Sequence, residues 1–245
     1  MTVALLYLVA ITSAELVTAF WGASAGVAFN VVLMFCLLVH GSLAKDPYRR
    51  LYLALALAPL FRVVSLSMPF TEMQQVYWYP IAAVPLFIGV LVAIRTLHLR
   101  RSDVGLAIGS PISQVLVALT GVGFGAIEYL ILQPDDLITT YSAGRMALMS
   151  AMFLVCTGFL EEIAFRGVIQ RSAEEALGAR GWVYTAVVFS VLYIGYLSPA
   201  QWVFALFVGL YFGWVVRRTG SLLGVTLAHG IANAMVYVVL PSLAR

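Results

Sequence analysis

Long apolar runs, separated by short polar or basic stretches, dominate the sequence. Hydrophobic residues make up 62% of the 245 residues, charged residues only 10%, and the mean hydropathy is +0.99. A soluble domain is nearer half apolar and a quarter charged. At roughly 20 apolar residues per span, we predict an all-α polytopic membrane protein with about eight or nine transmembrane helices and no second, soluble domain.

The apolar runs locate the spans. They are predicted at about Val3–Phe20, Val27–Leu43, Leu51–Met68, Trp78–Leu97, Ile112–Leu132, Met146–Ala164, Trp182–Leu197, Gln201–Val216 and Leu222–Leu240. Residues 166–180 are more polar and are predicted to form a helix on the membrane surface. Within one membrane domain, residues 1–145 supply N-terminal transmembrane helices, and residues 146–245 form the part that carries the candidate chemistry.

Basic residues are distributed unevenly among the loops. Most follow even-numbered spans, whereas the loops after odd-numbered spans contain Glu72, Asp135 and Asp136. Since Lys and Arg concentrate in cytoplasmic loops, we expect a cytoplasmic N-terminus, in a cell inner membrane or plasma membrane. The bases are a topology signal and give no support to nucleic-acid binding. The even-loop bases are Lys45, Arg49, Arg50, Arg95, Arg100, Arg101, Arg166, Arg171, Arg180, Arg217 and Arg218.

The segment Gly158–Arg171, GFLEEIAFRGVIQR, places two adjacent carboxylates at the end of an apolar run. On a helix, Glu162 and Arg166 share one face within ion-pair reach, whereas Glu161 lies about 100° around the helix and points elsewhere. Ionisable residues in a membrane span are costly and are functional-site candidates by default. A structural clamp between Glu162 and Arg166 is the alternative interpretation.

Two further segments place polar residues at a similar predicted depth. Glu161, Tyr193 and His229 each lie roughly 15–20 Å along a helix from a basic residue that is predicted to be cytoplasmic. His229 and Asn233 are four residues apart and share a helix face. A carboxylate shielded from water can act as a general base near neutral pH, and His and Asn can donate hydrogen bonds to an oxyanion. For His229 and Asn233, an interhelical packing bond is the alternative.

At these residues the chain resembles the CPBP family, which comprises the type II CAAX prenyl endopeptidases and the bacteriocin-processing, or Abi, membrane proteins. EEIAFR matches the family's EExxxR motif, and Phe189 stands where its FxxxH motif begins. GLYFGWVVRRTGSLLGVTLAHGIAN is similar to the closing block of the family, with HxxxN at His229–Asn233. The similarity covers about residues 150–237. It implies an intramembrane protease with a conical cavity that opens to the cytoplasm.

The resemblance also implies a role for each matching residue. Glu161 would be the catalytic base that activates water. Glu162 and Arg166 would brace the site, and His229 and Asn233 would hold the oxyanion. The function implied is that of an endopeptidase which hydrolyses a peptide bond of a membrane-associated substrate.

Tyr193 departs from the family pattern, because it occupies the position of the FxxxH histidine. A tyrosine, with an ordinary pKa of about 10, can orient water but is neither a base at neutral pH nor a good metal ligand. Glu161 and His229 alone are fewer than the three protein ligands of a typical catalytic zinc site. We therefore expect no metal and no other cofactor.

The Tyr193 substitution leaves two functional hypotheses. The first is an active glutamate-type intramembrane protease that acts on a membrane-bound peptide or lipoprotein. The second is a catalytically silent membrane protein that binds a peptide, a lipid or a partner subunit through the same cavity. Glu15, Arg62 and Glu128 are further charges within spans; they are expected to pair with one another or to lie near the interface, and the alternative is that they line the cavity or a substrate path.

Overall fold

The computed structural model describes residues 1–67, 77–134, 137 and 142–244. Within these ranges all regular secondary structure is helical, and eight helices are long and apolar enough to cross a membrane. Large apolar side chains such as Val32 and Leu116 face outward, as contact with lipid requires. The all-α polytopic membrane class is therefore confirmed. Glu72, Asp135 and Asp136, the predicted acids of the odd loops, lie outside the described residues.

The first half of the chain forms six helices, of which α3 and α4 together make one candidate span. Helix α2 packs against α1, α3 and α4, and α4 packs against α5. Helix α6 begins at a proline, which suits a first helical position because it needs no N–H donor there. The helices are α1 (Thr2–Trp21), α2 (Ala23–Leu43), α3 (Tyr48–Leu55), α4 (Leu57–Ser67), α5 (Trp78–Thr96) and α6 (Pro111–Leu132).

The second half of the chain contains the matched motifs, and π-helical stretches interrupt its α-helices. These stretches are Leu154–Phe159, Ile163–Gln170 and Met235–Val239. The helices are α7 (Ala143–Phe153), α8 (Leu160–Glu162), α9 (Arg171–Leu177), α10 (Gly181–Val191), α11 (Pro199–Thr219), α12 (Leu223–Ala234) and α13 (Leu240–Leu243).

A helical hairpin carries the two adjacent glutamates. The candidate span Ala143–Tyr196 contains 54 residues, far more than the roughly 20 needed to cross a bilayer once. The chain reverses at Gly178, whose φ of 61° is readily adopted by glycine. After the turn, α10 packs back against α9, and the rings of Phe165 and Phe189 lie 5.2 Å apart between centroids. The hairpin thus brings the EEIAFR segment close to Phe189, the first residue of the second motif.

The prediction of a surface helix over residues 166–180 was wrong for its first part. The helical chain continues from α7 through α9, and every residue of Ile163–Gln170 is buried. The polar residues of this stretch have partners inside the bundle: Arg166 pairs with Glu162, and Gln170 donates to the carbonyl of Gly213 at 3.0 Å. Because Arg166 Nη1 and Gln170 Nε2 are bonded inside the bundle, these side chains do not need the membrane surface for those groups.

The basic loops gather at one end of the bundle, which we call the basic end. Arg50 donates to Glu175 at 2.8 Å and to the carbonyl of Leu97 at 2.7 Å. Arg217 donates to the carbonyl of Ala179 at 3.0 Å. These contacts connect the start of α3, the end of α5, the turn before α10 and the end of α11. Such a grouping is what the assignment of even loops to one membrane face requires, and the cytoplasmic orientation of that face stays a prediction.

Helices α6 and α12 run parallel and pack closely through glycine. A side chain at Gly121 or Gly125 would collide with the backbone of α12, whereas Gly123 faces open space. Small residues let two membrane helices approach to backbone contact. The next turn of α6 carries Glu128, which therefore lies beside the turn of α12 that bears the predicted site residues.

Candidate functional site

Glu162 is the centre of a buried polar network. Its Oε1 accepts a hydrogen bond from Arg166 Nη1 at 3.0 Å and lies 2.8 Å from His229 Nδ1. The side chains of Glu162 and Arg166 are 0% and 1% exposed. A buried carboxylate requires such partners. The contact of Glu162 with Nδ1 in turn fixes the orientation of the imidazole. His229 engages Glu162 through Nδ1 and keeps Nε2 for another contact.

Two aromatic rings hold the guanidinium of Arg166. Its Cζ lies 4.2 Å from the ring centroid of Phe189 and 5.6 Å from that of Phe212. A cation over an aromatic face is stabilised by the ring quadrupole, and more so when it is shielded from water. Phe189, which the sequence singled out as the first residue of its motif, thus supports the arginine.

The helix that bears the glutamates departs from α-helical geometry on both sides of them. Leu154–Phe159 precedes α8 as a π-helical stretch, and Ile163–Gln170 follows it as another. Such stretches are frequent at functional sites, because the wider turn changes the direction in which side chains project. The α-helical spacing used in the sequence analysis still holds for Glu162 and Arg166, which form the expected pair.

Glu161 projects away from this network into a large cavity of about 410 Å³. Its side chain is 25% exposed, in contrast to the fully buried Glu162. The lining is mostly apolar and aromatic, with Glu161, Arg62 and Thr157 among its few polar residues. An apolar cavity with a small number of polar groups is typical of a ligand-binding site.

A second, small cavity of about 30 Å³ lies on the other side of Tyr193. Its polar lining residues are Glu128, Tyr193, His229 and Asn233. Tyr193 and Phe189 line both cavities and stand between them. A volume of this size is enough for a water molecule, which is stable in a cavity only when polar groups surround it.

The predicted site residues are brought together around His229. Glu161 Oε2 lies 3.9 Å from His229 Nε2, a separation longer than a hydrogen bond. A water or substrate group that contacts both atoms can bridge such a gap. The four residues Glu161, Tyr193, His229 and Asn233 do not face one common cavity: Glu161 lines the large one, His229 and Asn233 line the small one, and Tyr193 lines both.

Asn233 has a partner that the sequence analysis did not identify. Its Nδ2 donates to Thr157 Oγ1 at 2.7 Å, and Thr157 Oγ1 in turn donates to the carbonyl of Phe153 at 2.6 Å. An amide nitrogen carries two hydrogens, so Asn233 keeps one N–H for another acceptor. Thr157 is a polar residue in an apolar run, one turn before Glu161, and that position was the available signal.

The additional intramembrane charges fall into two groups. Arg62 Nε donates to Glu15 Oε1 at 2.7 Å, and Glu15 is fully buried. This confirms the expected pairing for these two residues. Glu128 does not join them: its Oε1 accepts from Gln201 Nε2 at 2.6 Å, and its side chain lines the small cavity.

The large cavity does not extend towards the basic end. Its lining includes Ser65, Trp78 and Tyr196, which lie at the ends of α4, α5 and the α10 arm that are remote from the basic end. The opening of a cavity to the cytoplasm stays a prediction. Arg166, whose guanidinium stacks on Phe189 at 4.2 Å, lines a separate cavity of about 180 Å³ at the basic end.

The described residues contain no group of three or more His, Cys, Asp or Glu side chains that could hold a metal ion. The expected lack of a metal or cofactor stays a prediction. Elemental analysis of the purified protein tests it, and stoichiometric metal that disappears in a Glu161→Ala variant would overturn it.

Comparison with known proteins gives a family match over the second half of the chain. Residues 143–235 match the family model described as "Rce1-like: Type II CAAX prenyl endopeptidase Rce1-like". The matched segment contains Glu161, Tyr193, His229 and Asn233 together with the hairpin and α12, and it confirms the resemblance seen in the sequence. Neither the curated proteins nor the solved structures include a match to the chain.

Proposed function

Because residues 143–235 form an Rce1-like domain, we propose that the protein is an intramembrane endopeptidase. It hydrolyses a peptide bond of a membrane-bound peptide or lipoprotein, with water activated by Glu161. One observation carries the proposal: Glu161 faces a large apolar cavity while standing 3.9 Å from the Nε2 of a histidine that Glu162 orients.

Each residue of the site has a step in this reaction. Glu161 takes a proton from water as the water oxygen bonds to the carbonyl carbon of the substrate. His229, protonated on both nitrogens, donates to Glu162 through Nδ1 and to the developing oxyanion through Nε2, and the free N–H of Asn233 adds a second donor. The carbon–nitrogen bond then breaks, and Glu161 returns the proton to the leaving amine.

The shape and polarity of the large cavity support a substrate drawn from the membrane. A volume of about 410 Å³ accommodates several side chains of an extended peptide. Its walls include Phe61, Phe165 and Leu86, which favour an apolar chain over a soluble, charged one. The grouping of basic loops at one end supports an N-terminus in the cytoplasm, in a cell inner membrane or plasma membrane.

Tyr193 gives the second candidate function its specific support. It replaces the histidine of the family motif and, as a tyrosine, cannot serve as a base at neutral pH. A protein with this substitution and a large apolar cavity could bind a peptide, a lipid or a partner subunit without cleaving it. The two functions differ in whether the purified protein forms a product.

The test compares purified wild type with Glu161→Gln on candidate membrane peptides in detergent or lipid nanodiscs. The matched control is Glu174→Gln, the same substitution at the basic end, where Glu174 lies outside both cavities. Cleavage by the wild type and the control, and none by Glu161→Gln, is expected. Equal product from wild type and Glu161→Gln would reject the endopeptidase. An inactive wild type that gains cleavage through Tyr193→His would favour the silent binding protein.

A further inference from the structure

Glu128 is a carboxylate within a membrane span that forms no ion pair with a described residue, although His229 lines the same small cavity. Its Oε1 is held by Gln201 Nε2 at 2.6 Å, and no Lys, Arg or His of the described ranges lies within ion-pair distance of it. A carboxylate in such surroundings is energetically costly, and an ionisable residue within a span is therefore a functional-site candidate by default. The Glu15–Arg62 pair shows that this chain can neutralise an intramembrane carboxylate with a neighbouring cation, and Glu128 lacks that arrangement.

The fold places Glu128 at the site through the glycine face of α6. Gly121, Gly125 and Glu128 are spaced i, i+4 and i+7, so they share one helix face. The two glycines bring α6 into backbone contact with α12. Gln201, which is fully buried near the start of α11, fixes the carboxylate from the opposite side.

The size of the small cavity indicates which ligand Glu128 can bind there. At about 30 Å³, the cavity has room for one or two water molecules. A stable buried water makes two to four hydrogen bonds. The lining offers Glu128, Tyr193, His229 and Asn233 as partners, and this set is polar enough to retain water although the surrounding residues are apolar.

We propose that Glu128 holds the water molecule that attacks the substrate, and so supplies a stronger hydrogen-bond acceptor than the phenol of Tyr193. The inference rests on the proposed endopeptidase function. One O–H of the water points to the carboxylate oxygen of Glu128 that Gln201 leaves free. The water lies at the His229 side of the small cavity, and Glu161, whose Oε2 is 3.9 Å from His229 Nε2, removes its other proton from the side of the large cavity. Glu128 gains no proton over the whole reaction, so the transfer between Glu161 and the leaving amine is unchanged.

A purely structural role makes a different prediction. If Glu128 only ties α6 to α11, then Glu128→Gln should be almost silent, because an amide can still form a hydrogen bond with Gln201. If Glu128 orients the water, the same substitution removes a charged acceptor and must slow the chemical step. Glu128→Gln therefore separates the two roles without leaving a cavity.

The experiment measures kcat, KM and thermal unfolding for wild type, Glu128→Gln, Tyr193→His and the double variant, with Glu174→Gln as the control. We expect Glu128→Gln to lower kcat by about 10²-fold, within the range for groups that handle water in the transition state, while KM and the unfolding temperature stay near wild type. We expect Tyr193→His to restore at least tenfold of that loss in the Glu128→Gln background, because an imidazole can again accept from the water.

Three kinetic outcomes would overturn the inference. An unchanged kcat in Glu128→Gln, with an active wild type, rejects the role of Glu128 and leaves the endopeptidase in place. A loss of kcat that Tyr193→His does not relieve rejects the shared water. A wild type without cleavage rejects the endopeptidase and the inference together. An experimental structure adds a test independent of activity: ordered water within about 3.2 Å of the Glu128 carboxylate supports the inference, and a dry small cavity overturns it.

Discussion

Replacing Arg166 with methionine tests whether burial makes the Glu162–Arg166 pair strong. The substitution keeps most of the side-chain volume and removes the charge. It leaves Glu162, whose side chain is 0% exposed, without its guanidinium partner. It also removes the stacking of the guanidinium on Phe189 at 4.2 Å.

The expected cost follows from the environment of the pair. Removing one partner of a buried ion pair typically destabilises a protein by about 3–5 kcal/mol, because the other charge remains buried and uncompensated. Among the described residues, only His229 is then left to hydrogen-bond the carboxylate, and its single bond does not replace both partners. We therefore expect Arg166→Met to lower the free energy of unfolding by about 3–5 kcal/mol.

The chain contains a control with the same residue types and the same spacing. Arg171 and Glu175 also form an ion pair four residues apart, at 3.1 Å, but their side chains are 44% and 23% exposed. Exposed pairs contribute about 0–1 kcal/mol, so Arg171→Met should be almost neutral. Equilibrium unfolding in mixed detergent micelles measures both variants under the same conditions.

A second variant distinguishes a buried charge from a general packing defect. Glu162→Gln combined with Arg166→Met removes both charges, and it should recover about 1 kcal/mol or more relative to Arg166→Met alone. The reasoning is refuted if Arg166→Met and Arg171→Met cost the same, or if the double variant is no more stable than Arg166→Met.

The remaining predictions concern packing and oxyanion stabilisation. Gly121→Ala should destabilise the protein by about 1–3 kcal/mol, because the added methyl collides with α12. Gly123→Ala should be neutral or slightly stabilising, since no described atom lies within 4 Å of the added methyl. Thermal unfolding of the two variants checks the contrast, and equal effects would contradict it. Asn233→Ala should lower kcat by about 10²–10³-fold, as the loss of an oxyanion donor does. Thr157→Val should lower kcat less, because it only frees the Asn233 amide from one hydrogen bond. Steady-state kinetics check both variants, and a lower kcat for Thr157→Val than for Asn233→Ala would contradict these roles.

The class of fold and one ion pair were accessible from the sequence because they depend on local spacing. Apolar runs of sufficient length predict membrane spans directly. A spacing of four residues on one helix places Glu162 beside Arg166 without any contact from another helix. The chemistry that follows from an isolated spacing is limited, however. The family resemblance implied a bracing role for Glu162, and only the fold shows that it also contacts His229 from another helix.

Features that depend on contacts between distant helices were not accessible. The sequence pattern did not indicate the π-helical stretches on both sides of Glu161. Thr157 and Gln201 are ordinary polar residues until the fold gives them Asn233 and Glu128 as partners. The division of the site into two cavities has the same origin.

The most direct test of the account compares Glu161→Gln with Glu162→Gln in both kcat and the free energy of unfolding. The account predicts that Glu161→Gln lowers kcat by about 10²–10⁴-fold, as the loss of a general base does, while stability changes by less than about 1 kcal/mol because the side chain faces a cavity. Glu162→Gln should lose stability as well as activity. Wild-type kcat in Glu161→Gln, or a loss of activity there that tracks unfolding, would contradict the claim that Glu161 activates water.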